Sequence, residues 1–141
     1  MLQIFDFREF SRRVLGSHWK KFTPQQRNDF SQTFAEFLGK FYLGRLQTRY
    51  NGEKVLYIDQ KIIRKSRAVV EIKVLWKNVE VPVNLRMKKK QGTWKVYDLS
   101  VLGISAVGNY RAQFHRILQK KKPDQVIKAI KEKIRNIEKD I

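Results

Sequence analysis

Two histidines, His18 and His115, and one carboxylate set in an apolar strand, Asp98, are the residues of this chain whose types could carry catalysis. Imidazole titrates near neutrality and can serve as a general base or a metal ligand. The two histidines fall on separate helical segments, however, and each reads as a polar residue at a surface margin. Asp98 reads as a structural carboxylate, held by a lysine, an arginine or backbone amides. No two carboxylates share a strand end or loop as a paired acid–base site requires. The sequence holds no phosphate-cradling glycine loop and no GxGxxG, HExxH or GxSxG motif. Cysteine is absent, which excludes disulfides, thiolate zinc sites and thiol catalysis. These residues point away from an enzyme, with no catalytic group, metal or cofactor to name.

Apolar side chains and positive charge are the material in excess. Hydrophobic residues make up 42% of the 141 and aromatics 12%, enough for one hydrophobic core. Lysine and arginine number 31 against 13 acids, a net charge of +18 that calls for nucleic acid, an anionic membrane surface or an acidic protein as partner. The basic residues cluster at Lys20 and Lys21, at Arg64, Lys65 and Arg67, at Lys88, Lys89 and Lys90, and at Lys120, Lys121 and Lys122. Nearly all fall at element ends or turns. Nucleic-acid binders interleave stacking aromatics with such cations. Here the aromatics follow the buried period instead, which weakens that alternative. No run approaches the ~18 consecutive apolar residues of a membrane-spanning helix.

The elements follow from pattern. Asp6 is placed to cap a first helix, with Glu9 as its reciprocal partner, Phe5 and Phe10 as a hydrophobic staple, and Phe10, Val14 and Leu15 facing inward. Gly16 supplies a left-handed terminator. Thr23, Pro24 and Gln26 start a second helix through a capping box. Phe30, Phe34, Phe37, Leu38, Phe41 and Leu46 then run at helical spacing towards Asn51 and Gly52. That helix would hold about 27 residues and span ~40 Å. Gly39 and Gly44 inside it mark close packing or a bend.

The period then changes from 3.6 to 2. A short strand is expected over Lys54 to Asp59. Val70, Ile72, Val74 and Trp76 alternate with Val69, Glu71, Lys73 and Leu75. Val79, Val81, Val83, Leu85 and Met87 alternate with Glu80, Pro82, Asn84 and Arg86, and a further strand runs from Thr93 to Val101. Pro82 cannot donate to a ladder, so its strand is expected at an edge or bulged there. The chain turns at Gly103, and Ser105 caps a helix carrying Val107, Tyr110, Phe114, Ile117 and Leu118. A last helix after Pro123 carries Val126, Ile127, Ile130, Ile134 and Ile137. The order predicts an α+β fold, a curved four-stranded antiparallel sheet packed against helices, in one domain spanning 1–141. The phenylalanine stripe fits a filled core and a hollow one alike.

Several segments together carry a resemblance. Phe5-Asp6-Phe7, Arg13-Val14-Leu15-Gly16 with Trp19, and Phe22-Thr23-Pro24-Gln25-Gln26-Arg27 resemble the opening half of the MlaC family, also called toluene-tolerance proteins. Trp94-Lys95-Val96-Tyr97-Asp98, Gly103-Ile104-Ser105, Asn109-Tyr110-Arg111 and Gln113-Phe114 resemble its second signature. The resemblance implies a periplasmic phospholipid carrier with a nuclear-transport-factor-like fold and an apolar cavity. It implies a glycerophospholipid, or in a related branch a hopanoid lipid, as the carried ligand, and no nucleic acid as specific partner. Its partners would be an inner-membrane ABC transporter with an MCE-domain subunit and an outer-membrane lipoprotein complex. The family's export signal and the helical segment before the first matched motif are missing from this sequence. A trimmed chain is the expectation.

The expected lipid-binding residues are Phe30, Phe34, Phe37 and Phe41 on the second helix, Val74, Trp76, Val83 and Leu85 on the sheet, and Val107, Tyr110 and Phe114 on the third helix. Acyl chains in such a pocket need only shape and apolar contact. The alternation leaves open which strand face lines it.

Overall fold

The structure, a computed structural model, describes residues 4–44, 55–76 and 79–139, with the side chains of 42–44, 55–58, 74–76 and 139 outside that description. Helix α1 (Phe7–Leu15) opens where the Asp6 carboxylate accepts the Glu9 amide at 3.0 Å. Glu9 does not return the bond. Its carboxylate accepts from Arg12 and Arg13 instead, because the Asp6 amide is already committed to the Val96 carbonyl at 2.9 Å. Phe5 stacks on Phe7 with ring centroids 5.6 Å apart and forms a single parallel bridge to Val96. Phe10, Val14 and Leu15 are buried as their spacing requires. Gly16 ends the helix at φ +57°, a conformation that side chains with a Cβ disfavour.

A 3₁₀ segment (Gly16–Lys21) leads to α2 (Pro24–Leu38). Its capping box is complete: the Gln26 amide donates to Thr23 Oγ1 at 3.1 Å, and the Thr23 amide donates to Gln26 Oε1 at 2.9 Å. The α-helix does not continue to Tyr50 as one rod. At Gly39 it passes into a π-helical segment, Gly39–Gly44, where two glycines let the turn widen. The expected stop at Asn51 and Gly52 lies outside the described residues.

The sheet is a meander in the order β1 (Val55–Arg64), β2 (Arg67–Trp76), β3 (Val79–Lys90), β4 (Thr93–Val101) and β5 (Ile104–Ser105). Beyond the four strands expected, β5 adds a two-residue fifth. Pro82 sits within β3, a strand flanked on both sides, yet the β4 ladder begins only at Val83. The missing N–H therefore costs no ladder bond, and the Pro82 carbonyl accepts the Leu102 amide at 3.1 Å. Leu102 and Gly103 both have positive φ, the backbone of a tight two-residue hairpin turn. Register groups the apolar residues of three strands on one face. Val70 faces Leu85 and Leu99, and Ile72 faces Val83 and Val101, in one apolar face that reaches the helical core at Leu99.

Helix α3 (Ala106–Leu118) begins at Ser105, whose hydroxyl accepts the Gly108 amide at 3.0 Å. Helix α4 (Pro123–Lys139) lies along α2 in the same direction: Gln26 donates to Asp124 at their starts, and Lys40 pairs with Glu138 at their ends. Val126, Ile127, Ile130 and Ile134 fill the seam between the two helices, each contributing about 1.5–3 kcal/mol by burial.

Candidate functional site

Aromatic residues from three helices meet over the sheet. Phe30 and Phe34 stack at 5.5 Å and are wholly buried. Phe10 packs on Phe34 at 5.9 Å, Phe22 edges Phe30 at 5.8 Å, and Phe114 meets both Phe30 and Phe34 edge-on at 5.4 and 5.7 Å. Ringed by Phe10, Phe22 and Phe114, Phe30 and Phe34 are wholly enclosed. The stripe continues to Phe37, which stacks on Phe34 at 6.2 Å and on Phe41 at 5.5 Å and meets Tyr110 edge-on at 6.0 Å.

From Phe37 outward the packing is incomplete. A crevice of about 60 Å³ opens between α2, α3 and α4, walled by Phe37, Tyr110, Phe114, Ile117 and Ile130, with Gln113 and Lys133 as its polar groups. This is far short of the several hundred Å³ a sizeable ligand occupies. Of the expected lining residues, Phe37, Tyr110 and Phe114 reach the crevice. Phe41 borders it through Phe37, and Val107 is buried in the helical cluster. Val83 and Leu85 sit half-buried on the apolar sheet face. Val74 and Trp76 belong to β2, and their side chains lie outside the described residues.

The groups that could do chemistry are used for structure. Asp98, buried, accepts the Val107 amide at 3.0 Å and the Leu99 amide at 2.7 Å on Oδ1, and the Ser105 hydroxyl at 2.6 Å on Oδ2. It ties β4 to the start of α3, as a carboxylate at a helix N-terminus favours. His18 departs from the surface position expected of it. It is buried, and its Nε2 lies 3.0 Å from His115 Nδ1, joining the 3₁₀ segment to α3. Burial, then the charge of Lys21 and the proximity of His115, push its imidazole below the ordinary range. Among the described residues no three His, Asp or Glu side chains gather as a metal site, and no helix is long and apolar enough to cross a membrane.

Sequence reasoning missed a clamp at Tyr97. The β3–β4 register shifts between Arg86 and Met87, leaving Tyr97 as the extra residue of a bulge. Its buried ring lies between the guanidinium groups of Arg13 at 4.2 Å and Arg67 at 5.1 Å. Arg13 also accepts from Arg111 Nε through its carbonyl at 2.8 Å, so α1, α3 and the sheet converge there. No local spacing signals such a meeting.

Fold and site together define a class: an α+β domain in which an open, curved antiparallel sheet packs on helices around an aromatic and aliphatic interior. The chain belongs to the MlaC family, whose model, described as MlaC protein, matches residues 1–132. It is 29% identical over 120 residues to the intermembrane phospholipid transport system binding protein MlaC of Haemophilus influenzae, covering 82% of this chain and 56% of that protein. It is 32% identical over 102 residues to the toluene tolerance protein ttg2D of Pseudomonas putida, covering 72% of this chain and 47% of that one. The chain thus spans about half the length of the curated relatives it matches. Its fold matches a phospholipid-binding protein from Ralstonia solanacearum, solved in complex with a phospholipid, with a TM-score of 0.85 and 23% identity over 97% of this chain and 77% of that one.

Proposed function

We propose that this protein is a phospholipid carrier of the periplasm. Acyl chains enter between α3, α4 and the aromatic stripe of α2, against the apolar face of the sheet. The observation that carries the reading is the crevice at Phe37, Tyr110 and Phe114, where an otherwise close-packed aromatic core stops short of closing. The names of the relatives agree with it: a phospholipid transport binding protein and a phospholipid complex of the same fold. By the same reading the carrier exchanges lipid with an inner-membrane MCE-domain ABC transporter and an outer-membrane lipoprotein complex. The phosphate stays at the mouth in water, since burying it unpaired would cost several kcal/mol.

Mass spectrometry of gently purified protein is the test. Glycerophospholipid or hopanoid-type lipid bound in stoichiometric amount is the expected result, and protein free of lipid from a lipid-rich host would overturn the reading. The charge of +18 favours one rival, a nucleic-acid-binding module. Tight, sequence-selective binding to DNA or RNA at physiological salt would establish it, whereas a weak, steeply salt-dependent affinity shows only basicity.

A further inference from the structure

The sheet brings together two turns that lie far apart in sequence. Arg64 pairs with Arg67 across the β1–β2 turn, and Arg67 pairs with Lys88 in the β2–β3 ladder. The Lys89 amide donates to the Ser66 carbonyl at 2.9 Å, fastening the β1–β2 turn to the end of β3. One end of the sheet therefore gathers Lys61, Arg64, Lys65, Arg67, Lys88 and Lys89. Lys90 at this end reaches Asp6 and Glu9 in ion pairs. Among the described residues, Lys61, Arg64, Lys65, Lys88 and Lys89 take part in none.

Within this cationic end stand Ile62 and Ile63, 63% and 55% exposed. The β1–β2 register shifts between Ile62 and Arg64, so the ladder passes over Ile63 at the tip of the edge strand. Single exposed isoleucines are ordinary. Two in succession, surrounded by unneutralised cations, have the composition of a membrane-surface element, in which apolar side chains enter the headgroup region and basic ones meet lipid phosphates. A folded acidic partner fits the patch less well. Protein interfaces favour large aromatic anchors, whereas the Tyr97 ring beside this end is buried in its arginine clamp.

We propose that this end of the sheet is a docking surface for an anionic lipid bilayer, with Ile62 and Ile63 entering the headgroup layer and the flanking lysines and arginines holding the phosphates. The proposal rests on the carrier reading, for which it names where the loaded or empty protein meets a membrane. It calls for no partner protein.

Co-sedimentation of the full chain with vesicles tests it, using phosphatidylcholine alone against phosphatidylcholine with about one-third phosphatidylglycerol. Binding to the anionic vesicles only, weakening with salt, is expected. The pair Ile62→Ser and Ile63→Ser should lower that binding on the order of tenfold or more, as should the triple change Lys65→Gln, Lys88→Gln and Lys89→Gln. The triple change Lys120→Gln, Lys121→Gln and Lys122→Gln removes the same charge from the α3–α4 turn and should alter binding by less than about twofold. Equal losses in the two triple variants, or unchanged binding in the isoleucine variant, would overturn the proposal in favour of bulk charge. All substituted positions are exposed except the half-buried Lys88, and circular dichroism verifies the fold of each variant. Co-purified lipid, measured on the same proteins, separates the two readings: cargo retained with docking lost supports both, and docking intact with no cargo in the parent removes the carrier reading alone.

Discussion

The Ser105 hydroxyl donates to Asp98 Oδ2 at 2.6 Å while the same oxygen of Ser105 accepts the Gly108 amide at 3.0 Å. The helix cap and the buried carboxylate are thus one relay that fixes the first turn of α3. Asp98→Ala removes the acceptor of two amides and a hydroxyl and should cost about 2–3 kcal/mol in urea unfolding. Ser105→Ala should cost about 1–2 kcal/mol. The double variant should cost less than the sum of the two, because both changes break the same relay.

If α3 shifts against α2 to admit lipid, a bridge between the two helices blocks that shift. Phe37 and Tyr110 meet edge-on at 6.0 Å, so cysteines at these positions, in a chain with none of its own, can be bridged by a short reducible reagent. Bridging α2 to α3 should abolish lipid transfer between vesicles, and reduction should restore it. Undiminished transfer in the bridged protein would place the opening elsewhere.

Core and crevice should respond oppositely to mutation. Phe34→Ala empties a fully enclosed site and should destabilise by about 3–5 kcal/mol, read from the thermal midpoint. Ala129→Trp, at the exposed crevice wall, should change stability by less than about 1 kcal/mol and yet reduce co-purified lipid several-fold by occupying the entry.

Glu9 makes stability sensitive to acid. Burial alone would raise its carboxyl, but Arg12, Arg13 and Lys90 outweigh that and hold it at about 2 against an ordinary 4.5. A group depressed in the folded state contributes stability above its unfolded value and loses it as pH falls. The denaturation midpoint should therefore drop between pH 4.5 and about 2. Glu9→Gln should be less stable at neutral pH and show a flatter profile through that window.

His18 acts at milder pH. Its folded value lies below the ordinary 6.5, so its contribution is complete above 6.5 and falls as pH drops through the lowered value. Proton NMR should show His18 titrating below an ordinary imidazole. His18→Phe should remove the part of the pH dependence that appears just under 6.5. An identical profile in that variant would assign the effect to other groups.

What the sequence disclosed was whatever repeats at short range. Thr23, Gln26, Asp6 and Ser105 announced their caps because a cap is written within four residues. Val83 and Leu85 showed their strand because a pleat has period two. The reciprocal bond expected of Glu9 failed because Val96 competes for the Asp6 amide from 90 residues away in sequence. The same distance hid the His18–His115 pair and the Arg13–Tyr97–Arg67 clamp. At the site, Phe30 and Phe34 were legible as an inward stripe, but their role as filled core depended on which rings the other helices would bring against them.

The bond from the Asp6 amide to the Val96 carbonyl also orders events in time. The meander can assemble by pairing neighbours in the chain, each strand with the one before it. Helix α1 can pack on α2 through Phe10 and Phe34 early, but its start is tied to β4, so its complete seat waits for that strand. Until then part of the apolar surface that α1 shares with α2 stays open, and a chaperone that holds this segment lowers the risk of aggregation.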